Sequence, residues 1–193
     1  NRKAVEQNLK VTSSKPTVGA WSWASDNQSV TFRPQTFWPA NSKIKVNAAL
    51  KGIQTSPGIY GERDMTAGFK TGASMVSTVD ANTLTMTVRK NGKVIRKIPV
   101  TTGKSGFETR SGIKPIMGKE GTVVMDAASG GTPVGSADYY RLTVHYSMRL
   151  TSSGEFVHAA PWSTGSQGRS SVSHGCVGMS TGNAIWLYDQ SKV

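Results

Sequence analysis

Between Thr83 and Val88 the chain alternates strictly, with Leu84, Met86 and Val88 on one side and Thr83, Thr85 and Thr87 on the other. A period of two predicts a half-buried strand. Arg89-Lys90-Asn91-Gly92-Lys93 interrupts it, and a second run continues from Val94 to Val100. Asn-Gly accepts the positive φ angles of a type I′ turn, so the two runs form a hairpin. Five basic residues between Arg89 and Lys97 crowd its tip, a solvated edge that discourages further pairing. Shorter runs recur elsewhere. Lys43 to Leu50 places Ile44, Val46, Ala48 and Leu50 on one face, and Ser29 to Pro34, Tyr140 to Val144 and Glu155 to His158 read as further strands. One helical repeat stands out. Ser180 caps a segment whose Ala184, Leu187, Tyr188 and Ser191 share a face.

This pattern predicts a mainly β chain in two domains. Breakers at Pro16, Pro34, Pro39, Gly52, Pro57-Gly58 and Gly61 divide residues 1–79 into short strands, as in a small immunoglobulin-like sandwich. Residues 80–193 form a second β-rich domain with a short helix near its end. Trp21, Trp23 and Trp38 are read as packing residues rather than a sugar platform. Gly103-Lys104-Ser105-Gly106 and Gly112 are loops, since the spacing of a phosphate-binding loop is absent.

Charge narrows the partners only a little. The net charge of +12 is split evenly, +6 before residue 80 and +6 after it. No basic stripe interleaved with aromatics appears, so nucleic acid is not the expected partner. An anionic envelope polymer remains compatible with a mildly basic surface. No apolar run of about 18 residues is present, so no transmembrane segment is expected within these residues. The first residue is Asn1, as in a trimmed or mature chain.

The candidate chemistry gathers around the one cysteine. Cys176 lies in Ser173-His174-Gly175-Cys176, with His158 upstream in Glu155-Phe156-Val157-His158-Ala159-Ala160-Pro161-Trp162. A lone thiol cannot form an intramolecular disulfide, and a thiol with histidines nearby is a candidate nucleophile. His158 is the candidate base, with a backbone carbonyl just after it as orienting partner. Gly175 permits close backbone approach, and the amides of Gly175 and Cys176 are candidate oxyanion donors. His174 adds a donor or orders the loop. Zinc is the other use of these residues. His158, His174 and Cys176 supply three ligands, but no second Cys or flanking carboxylate completes a site, and no metal or cofactor is expected. His145 reads as a strand residue.

At these residues the chain resembles the L,D-transpeptidase family, with its YkuD-like catalytic domain. The resemblance rests on His158 followed by 14 residues and then Ser173-His174-Gly175-Cys176, and on the surrounding Gly154 to Ser163 segment. Asn183 to Asp189 and Thr102-Gly103-Lys104 are also similar. It covers residues 80–193, and the immunoglobulin-like module before them also resembles members of the family. The resemblance implies that Cys176 attacks a donor tetrapeptide stem of peptidoglycan, that His158 shuttles the proton, and that the Ala159 carbonyl orients His158. It further implies that Tyr140 assists, that Met125, Trp162 and Ser173 contact substrate, and that an acceptor stem resolves the thioester to a 3→3 cross-link. Carbapenems would acylate Cys176, and the location would be extracytoplasmic, in periplasm or cell wall, with any anchor outside this segment. A further strand is expected after Val193. The family usually carries Asn or Arg two residues after the Cys, where this chain has Gly178. That departure predicts slow acylation, quickened by Gly178→Asn. A sortase-like or peptidase-like cysteine acyltransferase is the alternative enzyme, but sortases need a catalytic Arg after the Cys and no Arg follows Cys176. A wall-binding scaffold with a degenerate site is the non-enzymatic alternative.

Overall fold

A computed structural model describes residues 1–193. The chain divides into two compact units, Asn1–Ser74 and Met75–Val193. The division falls earlier than the 79/80 boundary read from sequence, because Met75–Asp80 is a strand paired along its length with Thr85–Lys90.

The first unit opens with a short helix, α1 (Arg2–Gln7), capped by the Asn1 side chain and burying Val5. A purely β reading of this stretch missed it, since six residues carry too little periodicity to register. Strands β1 (Leu9–Ser13), β2 (Gly19–Trp23), β3 (Val30–Pro34), β4 (Lys43–Ala48), β5 (Gln54–Ser56), β6 (Ile59–Tyr60) and β7 (Met65–Lys70) come next. β1, β4 and β7 form an antiparallel sheet with β4 in the centre. β2 and β3 form a separate ladder. An aromatic chain links the two layers. Trp21 meets Phe32 at 5.2 Å, Phe32 meets Trp38 at 5.7 Å and Trp38 meets Phe69 at 5.3 Å between ring centroids. Trp23 donates its indole N–H to Glu6 at 2.5 Å. All three tryptophans are thus engaged in packing or hydrogen bonding inside this unit.

The second unit holds two sheets. The first is β8 (Met75–Asp80), β9 (Thr85–Lys90) and β10 (Lys93–Pro99), antiparallel with β9 in the centre. Asn91 and Gly92, at φ 50° and 81°, make the expected turn. Leu84 sits at φ 49° as the last residue of the preceding turn, so the alternating strand starts at Thr85. The basic edge is used as well as solvated: Arg96 lies 4.6 Å over the Trp186 ring.

The second sheet runs β11 (Gly118–Asp126), β12 (Arg141–Arg149), β13 (Phe156–Ala159), β14 (Val177–Met179). The first two pairings are antiparallel and the last is parallel. Parallel neighbours need a crossover connection, here residues 160–176 with a 3₁₀ turn at Pro161–Ser163. Thr101 joins the sheets: its N–H donates to the Gly178 carbonyl at 2.9 Å, and the Gly178 N–H returns a bond to its carbonyl at 3.0 Å. Helix α2 (Thr181–Gln190) closes the chain, with Ser180 accepting from the Asn183 amide. Ala184 and Leu187 are buried under it, as the repeat predicts. Met86, Val88, Ile98, Val100, Met148, Val157, Val177 and Met179 complete the core between sheets and helix. No helix is long and apolar enough to cross a membrane.

Candidate active site

The parallel pairing of β13 with β14 brings the two candidate groups together. Val157 pairs with Val177, so His158 leaves one strand beside Gly178 while Cys176 enters the other. Both side chains line a cleft of about 170 Å³ with Met125, Tyr140, Trp162, Ser173, His174 and Gly178. Ala159 and Gly175 contribute through the backbone and do not line it.

His158 is 5% exposed, and its Nδ1 lies 2.8 Å from the Ala159 carbonyl. A carbonyl only accepts, so Nδ1 carries the proton and Nε2 holds the lone pair. The Trp162 ring stacks on the imidazole at 5.9 Å and 27°. Burial pushes the His158 pKa down, against a smaller upward pull from the Ala159 carbonyl. The imidazole is therefore neutral at neutral pH and able to take a proton.

Cys176 is 8% exposed and packs with Met125, Val144 and Phe156. Burial pushes its thiol up to about 11, with the Glu155 carboxylate adding in the same direction and the Phe156 backbone opposing. The S–H points at the Gly154 carbonyl, 3.8 Å away. The resting pair is thus thiol and neutral imidazole, not thiolate and imidazolium.

The nucleophile loop is braced from several sides. The Ser173 amide donates to Thr102 O at 3.0 Å, and the Lys104 amide donates to Ser173 O at 2.9 Å. The Ser173 hydroxyl donates to Cys176 O at 2.6 Å and accepts from the Gly175 amide at 3.1 Å. Two expectations change here. The Gly175 amide, read as an oxyanion donor, is already engaged inside the loop. The Ser173 hydroxyl, read as a substrate contact, is turned into the same brace, although the residue does line the cleft. Gly175 adopts φ 119°, which a side chain would strain.

Thr109 was not singled out from sequence. Its hydroxyl donates to Gly175 O at 2.9 Å and accepts from the Gly103 amide at 2.9 Å. Nothing local marks this threonine, 66 positions from its partner.

His174 lies between Phe107 at 4.6 Å and Tyr140 at 4.7 Å. Its Nε2 is buried without a hydrogen-bond partner, 3.7 Å from Asp138, which pairs with Lys104 at 2.5 Å. Burial, then Lys104, pushes its pKa down. Tyr140 is pushed up by burial and by Cys176. Glu155 fastens a further loop: it accepts from the Arg110 amide at 3.1 Å and from Lys114 at 2.8 Å. These bonds hold its carboxyl at about 2 despite the opposing effect of burial.

Gly178 needs its missing side chain. A Cβ there would lie 2.9 Å from both Ala160 Cβ and Thr101 Cγ2. These short side chains cannot swing away, so an Asn at this position meets a filled space. This crowding runs against the expectation that Gly178→Asn improves the loop, which required room for a Cβ.

Comparisons with known proteins identify the domains that carry this site. The model of the L,D-transpeptidase catalytic domain matches residues 74–193, and that of a bacterial Ig domain matches residues 1–54. The chain is 36% identical over 192 residues to L,D-transpeptidase 2 of Mycobacterium tuberculosis, covering all of this chain and 47% of that protein. It is 38% identical over 193 residues to L,D-transpeptidase 1 of the same organism, covering all of this chain and 71% of that one. Among solved structures, the LD transpeptidase LdtMt1 in complex with imipenem superposes with a TM-score of 0.81 at 38% identity, over 100% of this chain and 82% of that one. An L,D-transpeptidase from Mycobacterium smegmatis gives 0.80 at 36%, with the same coverage. The fold is therefore an Ig-like module followed by a transpeptidase-type catalytic domain. The chain belongs to the L,D-transpeptidase family.

Proposed function

We propose that the protein is a cysteine acyltransferase of peptidoglycan that forms 3→3 cross-links between stem peptides. The observation that carries this is the protonation pattern of His158. Its Nδ1–H is committed to Ala159 O, which leaves a basic Nε2 for the cleft it shares with Cys176.

As a donor tetrapeptide enters, the thiol turns from Gly154 O toward His158. Nε2 takes the S–H proton as sulfur attacks the carbonyl between the third residue and the terminal D-Ala. The Cys176 amide faces the developing oxyanion, and the Gly175 amide holds the Ser173 brace that keeps the loop still. Imidazolium then protonates the leaving D-Ala amine, the C–N bond breaks and a thioester remains. The acceptor amine attacks the thioester, gives its proton to His158, and the thiolate leaves and is reprotonated. No charge separation is needed at rest, which suits a buried cleft with no acidic residue in its lining, the nearby Glu155 being already paired with Arg110 and Lys114. Met125 and Trp162 wall the donor cleft, and Tyr140 orders it beside His174. Carbapenems, one of which a related structure contains, would acylate the same sulfur. This reaction places the protein outside the cytoplasm, at the cell wall.

Incubation with purified disaccharide-tetrapeptide and mass analysis of the products tests the proposal. A cross-linked dimer short of one D-Ala is expected. Unreacted tetrapeptide beside a protein that folds would contradict it.

A further inference from the structure

A second cleft, of about 380 Å³, lies beside the first and shares Trp162 with it. Gly121, Thr122, His145, Tyr146, Ala159, Pro161, Thr181 and Tyr188 form the rest of its lining. The strands are distorted where they form it. β11 pairs Lys119 with Met148 and Gly121 with Ser147, which leaves Glu120 extra; it then pairs Val123 with Val144, which leaves both His145 and Tyr146 opposite Thr122. These are two successive bulges. Gly121 lies at φ 65°, and Tyr146 at φ 55°, a conformation that a bulky residue rarely holds. Bulges near active sites re-aim side chains, and strain of this kind persists where the site uses it. Of the residues at the bulges, Gly121, Thr122, His145 and Tyr146 line the cleft, whereas Glu120 does not.

The chemistry of the lining is selective. Three aromatic rings surround it: Trp162, 57% exposed, and Tyr146 and Tyr188, whose centroids are 5.9 Å apart at 76°. Hydroxyls come from Thr122 and Thr181, and an imidazole from His145, which bonds Thr122 through Nδ1 at 3.0 Å and keeps Nε2 outside that contact. No Asp, Glu, Lys or Arg lines it. Lys119 lies 4.2 Å over the Tyr188 ring but is already bonded to Ser191 O at 3.2 Å, so a stem peptide with free amine and carboxylate would find little counter-charge in the lining. A neutral ring with one apolar face and a rim of hydroxyls would find aromatic surface and polar edges together.

We infer that this cleft is a carbohydrate subsite that seats an N-acetylhexosamine of the glycan strand while the attached stem peptide reacts at Cys176. The choice of sugar rests on the peptidoglycan reading above. The sugar stacks on the exposed Trp162 beside Tyr188, a ring that Lys119 already covers on one side, its hydroxyls pair with Thr122, His145 and Thr181, and its acetamide methyl packs on Pro161. The shared Trp162 wall then couples the position of the sugar to the ring stacked on His158.

The test uses the whole chain. N-acetylglucosamine oligomers are titrated into wild type and a Thr122→Val/His145→Ala double variant, with tryptophan fluorescence and two-dimensional NMR as readouts. Both residues are exposed and outside the first cleft, so the variant keeps its fold and its rate of carbapenem acylation. Saturable binding by wild type, with shifts at Trp162 and Tyr188, is expected, weakened at least fivefold in the variant. The preference for disaccharide-tetrapeptide over bare tetrapeptide, about tenfold in kcat/KM for wild type, falls toward one in the variant. No saturation by wild type, or equal affinity in the variant, overturns the subsite. Loss of carbapenem acylation and cross-linking in wild type that still binds the sugar would instead overturn the transpeptidase reading and leave the subsite standing.

Discussion

The first unit buries two apolar side chains, Val5 and Ile44, whereas the second buries eighteen. The first is joined by a half-exposed aromatic chain, and Phe37, Ile59, Tyr60, Met65 and Phe69 remain exposed on it. The second closes a continuous core between two sheets and a helix, and its hydrogen-bonded loops hold Cys176, His158 and their supports. Packing density is what transmits position. A site needing two side chains fixed to within half an ångström belongs on the dense unit. The first unit carries four acids, Glu6, Asp26, Glu62 and Asp64, and no histidine or cysteine.

The sharpest break in this comparison comes from the base. His158→Ala slows carbapenem acylation about a hundredfold to ten-thousandfold, with the melting curve little changed. Stopped-flow quenching measures it, and an unchanged rate would shift the role to His174. The protonation state is next in size. With its thiol at about 11, Cys176 reacts with iodoacetamide at pH 7 about a hundredfold more slowly than an ordinary cysteine, and the rate climbs toward pH 11. Rapid labelling at pH 7 would mean a preformed thiolate.

Glu155 gives the second unit a pH-dependent stability signature. Its folded pKa of about 2 lies below the ordinary 4.5. Its contribution, about 3 kcal/mol at most, is therefore present above pH 4.5 and is lost as pH falls through 2. Glu155→Gln should lower stability at pH 7 and flatten the slope of unfolding free energy between those values. Denaturant melts at stepped pH measure both. A smaller effect is expected at Gly178. Gly178→Asn costs about 1–3 kcal/mol by overpacking against Ala160 and Thr101, and it slows acylation. Adding Thr101→Ala, which removes Cγ2, should recover part of the loss. A faster, equally stable Gly178→Asn single variant would show that the loop gives way at no cost.

The legible parts of the molecule were those whose cause is local. Asn91-Gly92 specifies its turn wherever it stands, Ser180 caps the helix that begins at Thr181, and alternation from Met86 to Val88 marks a buried face. His158 and Cys176 were legible because their residue types are scarce in this chain. The bracing contacts were not. Thr109 reaches Gly175 and Thr101 reaches Gly178 only after the sheets assemble. The Ser173–Gly175 bond depends on a left-handed glycine that no neighbouring residue announces. Gly178 is the clearest case: the sequence shows a missing polar side chain, and the fold shows two methyl groups where that side chain would go. The bulges at Glu120 and His145–Tyr146 are likewise properties of two strands in register, invisible in either alone.

The claim that the second unit carries all the chemistry is tested most directly by intact-protein mass spectrometry of a folded 75–193 fragment exposed to a carbapenem, with its Cys176→Ala counterpart alongside. One added equivalent of the drug on the fragment, and none on the Ala variant, is the predicted result. A folded fragment that takes up no carbapenem, or an adduct that persists without Cys176, would contradict it.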